Sequence, residues 1–237
     1  LNYLLGSGYF SQPNSGSEWF FKLWWDNIHK YSTPKRVVIF SMGGHSLKYA
    51  PGDWFTVSGN LGNVGELLSK SKPYPYVGNG VAVCALALMA YSEEMDFVYH
   101  EQDLLAFGHV VETMYKECEG AGMIIGRQKS QPCANSLMLV KHHFIPSFVS
   151  WYMSSEAECD PENISEHKFA RWQEKVPNEI RYYSFGYDRD RPFNIDDPVW
   201  YAQKFSVEEL LLLKEKGLIS FDSIPDNVKR FSNCENL

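Results

Sequence analysis

Apolar residues come in short, separated runs along the first two-thirds of the chain, and the spacing alternates between strand and helix periods. Asn2–Leu5, continued by Tyr9 and Phe10, predicts a first strand interrupted at Gly6-Ser7-Gly8. Ser17 then stands as a cap before an aromatic helix over about Glu18–His29. Val37–Phe40 predicts a buried strand ending at Gly43-Gly44, and Trp54–Val57 a third strand. Asn60–Lys72 predicts a short, glycine-broken helix closed by Pro73 and Pro75. Asn79–Tyr91 predicts a buried, alanine-rich helix. Phe97–Tyr99 predicts a buried strand, His109–Glu117 a helix, Met123–Ile125 and Leu137–Val140 strands, and Ser147–Met153 the start of a helix.

Strand and helix alternating over about 150 residues implies one mainly parallel, doubly wound α/β sheet flanked by helices. No internal repeat shows. After Ser154 acids, aromatics and prolines crowd Glu156–Pro198, and one clear helix follows over Val207–Lys216. Ser206 and Glu209 form its capping box. We read 1–154 as the sheet-forming half and 155–237 as a lobe built onto it within the same domain.

The eight residues Asp96–Asp103 carry the chemistry. The strand Phe97–Tyr99 runs into two carboxylates, Glu101 and Asp103, spaced by two. Continued as a strand, that spacing puts both on one face. Paired oxygen ligands suit a hard divalent cation. The carboxyl edge of an open α/β sheet is also where ligands bind. The plain alternative is a solvated polar turn.

Composition narrows the field. The chain has 237 residues, 44% hydrophobic and 22% charged, enough for an ordinary core. Its net charge is −7 with no basic stripe, which speaks against a nucleic-acid polymer as partner. Aromatics reach 15%, mostly core material with some faces to spare for sugars or bases. The five cysteines lack C-x-x-C spacing, which disfavours a structural zinc site and suits a reducing, cytoplasmic setting. Asn163-Ile164-Ser165 is a sequon short enough to arise by chance. The longest apolar run, Val81–Ala90, is about half a membrane span, so no span is expected in this chain. No secretory signal shows, and because residue 1 is Leu an upstream anchor stays open.

With Glu101-Gln102-Asp103 followed by Leu104–Gly108, the chain resembles a GT-A glycosyltransferase, where an Asp-x-Asp-like motif sits at the end of the central strand. The phrases Asn60–Val64, Ala85–Tyr91 and Ser136–Val140 are similar to a poorly characterised glycosyltransferase group associated with surface glycans of microbes and large DNA viruses. The resemblance implies a nucleotide-sugar half followed by an acceptor-binding lobe. It implies transfer of a hexosyl or pentosyl group from a nucleotide-sugar, a UDP-sugar, to a glycan hydroxyl, with inversion. Asp103 would hold Mn²⁺ or Mg²⁺, and Glu101, where the family usually has Asp, would reach the ribose or the metal through water. Strand neighbours at i and i+2 lie about 6.6 Å apart. Both would therefore grip one ion directly only if the backbone turns, and Leu104–Gly108 is the expected place for that turn.

Other residues take roles by the same resemblance. Gly8, Tyr9 and Phe10 would line the base and ribose. Glu166, in the first turn of a helix opened by Ser165, would be the general base, with Asp160 and Asp188 behind it. Apart from the resemblance, the guanidinium groups of Arg189 and Arg191 would offer planar donor forks to phosphate or sugar oxygens, against the plain reading of a salt-bridged loop. His142 and His143 read as structural. The rivals are a sugar-phosphate nucleotidylyltransferase, disfavoured because no Lys or Arg precedes Lys22, and a non-catalytic carbohydrate-binding protein.

Overall fold

The computed structural model describes residues 1–9, 16–42, 53–57, 77–127, 133–153, 165–183, 200–203 and 205–228. Within them strands β1 (Tyr3–Tyr9), β2 (Arg36–Met42), β3 (Asp53–Val57), β4 (Asp96–His100), β6 (Met123–Gly126), β7 (Ala134–Val140) and β8 (Ile180–Tyr183) form one sheet in the order β3-β2-β1-β4-β7-β6-β8. All pairings are parallel except those of β7, which runs antiparallel between β4 and β6. The sheet is thus mainly parallel. Strands β5 (Leu104–Phe107) and β9 (Trp200–Gln203) pair antiparallel in a small second sheet.

Period-two alternation divides the sheet's side chains between two cores. Leu5, Ile39, Val98 and Leu139 pack with helices α1 (Ser17–Tyr31), α3 (Val110–Glu117) and α6 (Val207–Glu215) and with β5. Their sequence neighbours Leu4, Val38, Phe97 and Val140 pack with α2 (Val77–Ser92), α4 (Ile145–Met153) and α5 (Ser165–Lys175) on the other face. Helices cover both faces, the arrangement that continuous apolar strands require. Neither α2 nor α4 contains a charged residue.

Several sequence expectations need correction. Gly6-Ser7-Gly8 does not interrupt β1; the strand runs through it, pairing Gly6 with Val38 and Gly8 with Phe40. The glycine at position 6 is there for packing. A Cβ would lie 2.9 Å from Phe97 Cε2 and 3.0 Å from Leu86 Cδ1, so only a bare backbone lets α2 lie this close. Ser17 does not cap α1. Gly16 is the cap, at φ 74°, where a side chain would be strained, and Ser17 is the first helical residue. Strands β8 and β9 were not foreseen, because their four residues lack a long alternating run. The capping box at Ser206 is as expected, with Glu209 N–H donating to Ser206 Oγ (3.2 Å) and Ser206 N–H to Glu209 Oε2 (2.9 Å). The expected helix over 60–72 lies outside the described residues.

Helix α1 docks on the sheet through Phe21, Leu23, Trp24, Asn27 and Ile28. Trp24 Nε1–H donates to His100 Nδ1 at 2.8 Å, and both residues are buried. The Glu101 carbonyl also lies 3.2 Å from that nitrogen. An indole N–H can only donate, so Nδ1 accepts and the ring proton sits on Nε2. Burial pushes the His100 pKa down from 6.5 to about 4.

Two stability outcomes follow from this packing. Gly6→Ala should cost about 1–3 kcal/mol, the usual price of overfilling a tight core, read as a lower urea midpoint with an unchanged slope. An unchanged midpoint would show that Leu86 and Phe97 shift freely. His100 ties stability to pH. Its folded pKa lies below its unfolded one, so the unfolded state takes the proton first. Stability should therefore be full above pH 6.5 and fall as pH drops from 6.5 to about 4. The total loss is about 3 kcal/mol. Urea titrations in metal-free buffer, wild type against His100→Gln, isolate this group, and parallel pH profiles would contradict it.

Candidate functional site

The strand order places a crevice. From β1 the chain crosses through α1 to β2 and β3 on one side, then returns through α2 to β4 on β1's other side. Helices α1 and α2 lie on opposite faces of the sheet. The connections therefore diverge between the carboxyl ends of β1 and β4, the switch point where open α/β sheets bind ligands. Gly6 pairs with Tyr99, the last such pair, and the same register carried forward sets Ser7 and Gly8 beside His100 and Glu101.

The acids sit at this point, in a different backbone from the one expected. β4 ends at His100, and Glu101–Leu104 is a turn, closed by Leu104 N–H donating to the Glu101 carbonyl at 3.1 Å. The Glu101 N–H donates to the Ser136 carbonyl on β7 at 2.9 Å. The reversal therefore comes within Glu101-Gln102-Asp103, and Leu104–Phe107, expected to supply it, is β5 instead. The physical reason is that β5 is buried throughout and finds its partner in β9, so the polar residues take the bend. The spacing of a straight strand no longer applies to the pair.

Glu101, Gln102 and Asp103 are all half-buried. Tyr99 lies beneath them, 2% exposed. Burial first, then the charges of Glu101, Tyr152 and Asp103, hold its hydroxyl pKa well above the ordinary value, while a hydrogen bond from the Gly8 backbone works the other way. Two carboxylates in one turn at a sheet edge have the donor chemistry of a Mn²⁺ or Mg²⁺ site. Such ions are commonly held by one or two carboxylates, with water and substrate phosphates completing the shell. Among the described residues no three His, Cys, Asp or Glu side chains gather as a full metal cage.

The other expected site residues fall as follows. Gly8 is half-buried at the end of β1. Tyr9 is 1% exposed and packs edge-on against Phe21, with ring centroids 5.0 Å apart, so its ring belongs to the core. What remains there for a ligand is the main chain. Glu166 is the second residue of α5, as the sequence predicts, and its side chain lies outside the described residues. Phe10, Asp160, Asp188, Arg189 and Arg191 also lie outside them. The His142 ring stacks on Tyr91 at 4.8 Å, and its backbone N–H donates to Asp96 Oδ1 at 2.7 Å. That is the opposite end of β4 from the acids.

Sequence reasoning missed Trp24, Asn27, Tyr99 and His100. The Asn27 side chain brackets β5: its Nδ2 donates to the Ala106 carbonyl, and the Ala106 N–H donates to its Oδ1, both at 2.8 Å. The signal was available, since Asn27 stands in the same helical stripe as Phe20 and Trp24, and a polar residue on a buried face needs a partner. A cavity of about 770 Å³ opens at the other edge of the sheet, among Tyr115, Lys116, Lys141 and Glu179. Lys141 there is already committed to Asp96 at 2.5 Å, and that edge carries the amino ends of β1 and β4, so it is not the switch point. No helix among the described residues is long and apolar enough to cross a membrane.

No protein-family model matches the chain, and no curated protein matches its sequence. Solved structures do match in fold. A glycosyltransferase involved in the glycosylation of the major capsid of PBCV-1 superposes with a TM-score of 0.53 at 8% identity, covering 92% of this chain and 99% of that one. Mouse xyloside xylosyltransferase 1 in its apo form gives 0.52 at 10% identity, covering 88% and 98%. A 4-diphosphocytidyl-2C-methyl-D-erythritol synthase from Anaerococcus prevotii gives 0.52 at 6% identity, covering 77% and 87%. The topology and these likenesses agree: the chain has a GT-A-like fold.

Proposed function

We propose that this protein is a glycosyltransferase that moves a sugar from a nucleotide-sugar, a UDP-sugar, to a glycan hydroxyl with inversion. One observation carries the reading. Glu101 and Asp103 share a tight turn at the carboxyl end of β4, beside the end of β1, at the switch point of the sheet. The main chain of Gly8 and Tyr9 would approach the base and ribose from β1, with Phe10 beyond them. Asp103 would hold Mn²⁺ or Mg²⁺ and Glu101 would support it or the ribose. A bound cation there would neutralise charge building on the leaving diphosphate. Arg189 and Arg191 would add donor forks to phosphate or sugar oxygens.

The bond changes are simple. The acceptor oxygen attacks the anomeric carbon, the bond from that carbon to the diphosphate oxygen breaks, and the hydroxyl proton passes to a carboxylate. Glu166 is our choice for that base. The N-terminal end of α5 favours its ionised form through the helix dipole. Asp160 and Asp188 are the reserves. The likeness to the erythritol synthase supports a second reading, nucleotidyl transfer on the same fold. Holding a triphosphate calls for a basic loop near β1, and the sequence has no Lys or Arg before Lys22.

Calorimetry with UDP tests the core of this reading. The wild type should bind UDP more tightly with Mn²⁺ than without it. Asp103→Asn should remove the Mn²⁺ dependence while the melting temperature holds, and Glu101→Gln should weaken binding less. Equal affinity in Asp103→Asn would reduce the acid to a solvated turn residue. CTP bound in preference to UDP would favour nucleotidyl transfer.

The base is tested by rate. Glu166→Gln should lower kcat by roughly 10²–10⁴-fold with UDP affinity close to normal, and Glu166→Asp should recover part of it. Near-normal turnover in Glu166→Gln would move the role to Asp160 or Asp188.

A further inference from the structure

Helix α1 buries five side chains, Phe21, Leu23, Trp24, Asn27 and Ile28. Only two of these carry polar side-chain groups, the Trp24 indole N–H and the Asn27 amide. Both are used at one place. Trp24 donates to His100, the residue before Glu101, at 2.8 Å. Asn27 makes two bonds of 2.8 Å to the main chain of Ala106, three residues beyond Asp103. Residues three apart lie on the same face of a helix, so one rigid surface grips the acidic turn at both flanks. Between the grips the Glu101 N–H is tied to Ser136 and the Leu104 N–H closes the turn.

We infer that Trp24 and Asn27 are positioning residues, through which α1 sets the geometry of the Glu101–Asp103 turn for cation and nucleotide. The inference rests on the reading of those two acids given above. It goes beyond that reading by assigning control of the site to a helix that supplies none of its ligands.

The chemistry of the grips fits this role. Asn27 serves as a substitute strand edge, presenting one donor and one acceptor to Ala106 as a neighbouring strand would. β5 is thereby paired on one side by β9 and on the other by a single side chain. The bond to Trp24 fixes which His100 nitrogen is protonated and so fixes the ring's orientation. The buried Nε2–H then finds no acceptor among the described residues. A buried ring that accepts from the Trp24 indole is held at a defined position and tilt, which an apolar side chain of the same size would not be. Small displacements matter here, because metal affinity depends on the groups that orient the ligands.

The test uses Trp24→Phe, which keeps a ring and loses one N–H, and Asn27→Leu, which keeps the volume and loses both bonds. For each, UDP binding is titrated against Mn²⁺ by calorimetry, alongside a thermal melt and hydrogen exchange at Leu104 and Ala106. Each variant should raise the Mn²⁺ half-saturation on the order of 10-fold, with UDP affinity restored by excess Mn²⁺. Exchange at the two amides should quicken. In an Asp103→Asn background neither change should weaken UDP binding further, because both act through the same acid. A lowered melting temperature with wild-type Mn²⁺ half-saturation would overturn the inference and leave the two residues as packing. If Asn27→Leu does not fold, Trp24→Phe decides alone. Mn²⁺-independent UDP binding in the wild type, or an Asp103→Asn variant that binds like it, would instead overturn the reading of the acids, and the inference with it.

Discussion

Buried main chain must find hydrogen bonds, and the end of β4 is where that requirement is hardest to meet. The chain leaves a strand enclosed on both faces, turns within four residues, and enters another strand in a different sheet. Three elements far apart in sequence supply the bonds: Ser136 on β7, Asn27 on α1, and β9. Glu101 and Asp103 stand where this set of bonds leaves the side chains half-open to solvent. Their placement is a product of backbone accounting as much as of their own chemistry.

That accounting also explains the two cores. β4 sends Phe97 and Tyr99 toward α2 and α4, and Val98 and His100 toward α1. The strand cannot slip by one residue without exchanging a tyrosine and a histidine between two differently packed layers. Gly6 on the neighbouring strand fixes the depth of α2, and Trp24 fixes the depth of α1. The register of β4 is thereby held from both faces, and the acids that follow inherit it.

Much of this was legible in the sequence, for identifiable reasons. The α/β alternation, the buried strand before the acids and the capping box at Ser206 rest on local periodicity and local side-chain bonds, which a sequence displays directly. The reversed β7 did not show, because an apolar run has no direction written in it. Gly6-Ser7-Gly8 misled because glycine signals a turn and a close approach alike, and only the positions of Phe97 and Leu86 separate the two. The turn at Glu101 was misplaced because the pairing of β5 with β9 joins residues nearly a hundred positions apart. Trp24 and Asn27 went unread for the same reason: their partners are 76 and 79 residues away.

The central place of β1 has a consequence for how the protein comes to be made. Its first residues pair with β2 on one side, Leu4 with Arg36, and with β4 on the other, Tyr3 with Asp96. During synthesis the near partner is available early, whereas the far one requires closing a loop of about ninety residues, an entropic cost that grows only slowly with length but delays the event. Until β4 leaves the ribosome, β1 presents a bare apolar edge, the kind that pairs with other chains. The strand that forms one wall of the proposed nucleotide site is therefore also an edge at which the nascent chain is open to aggregation.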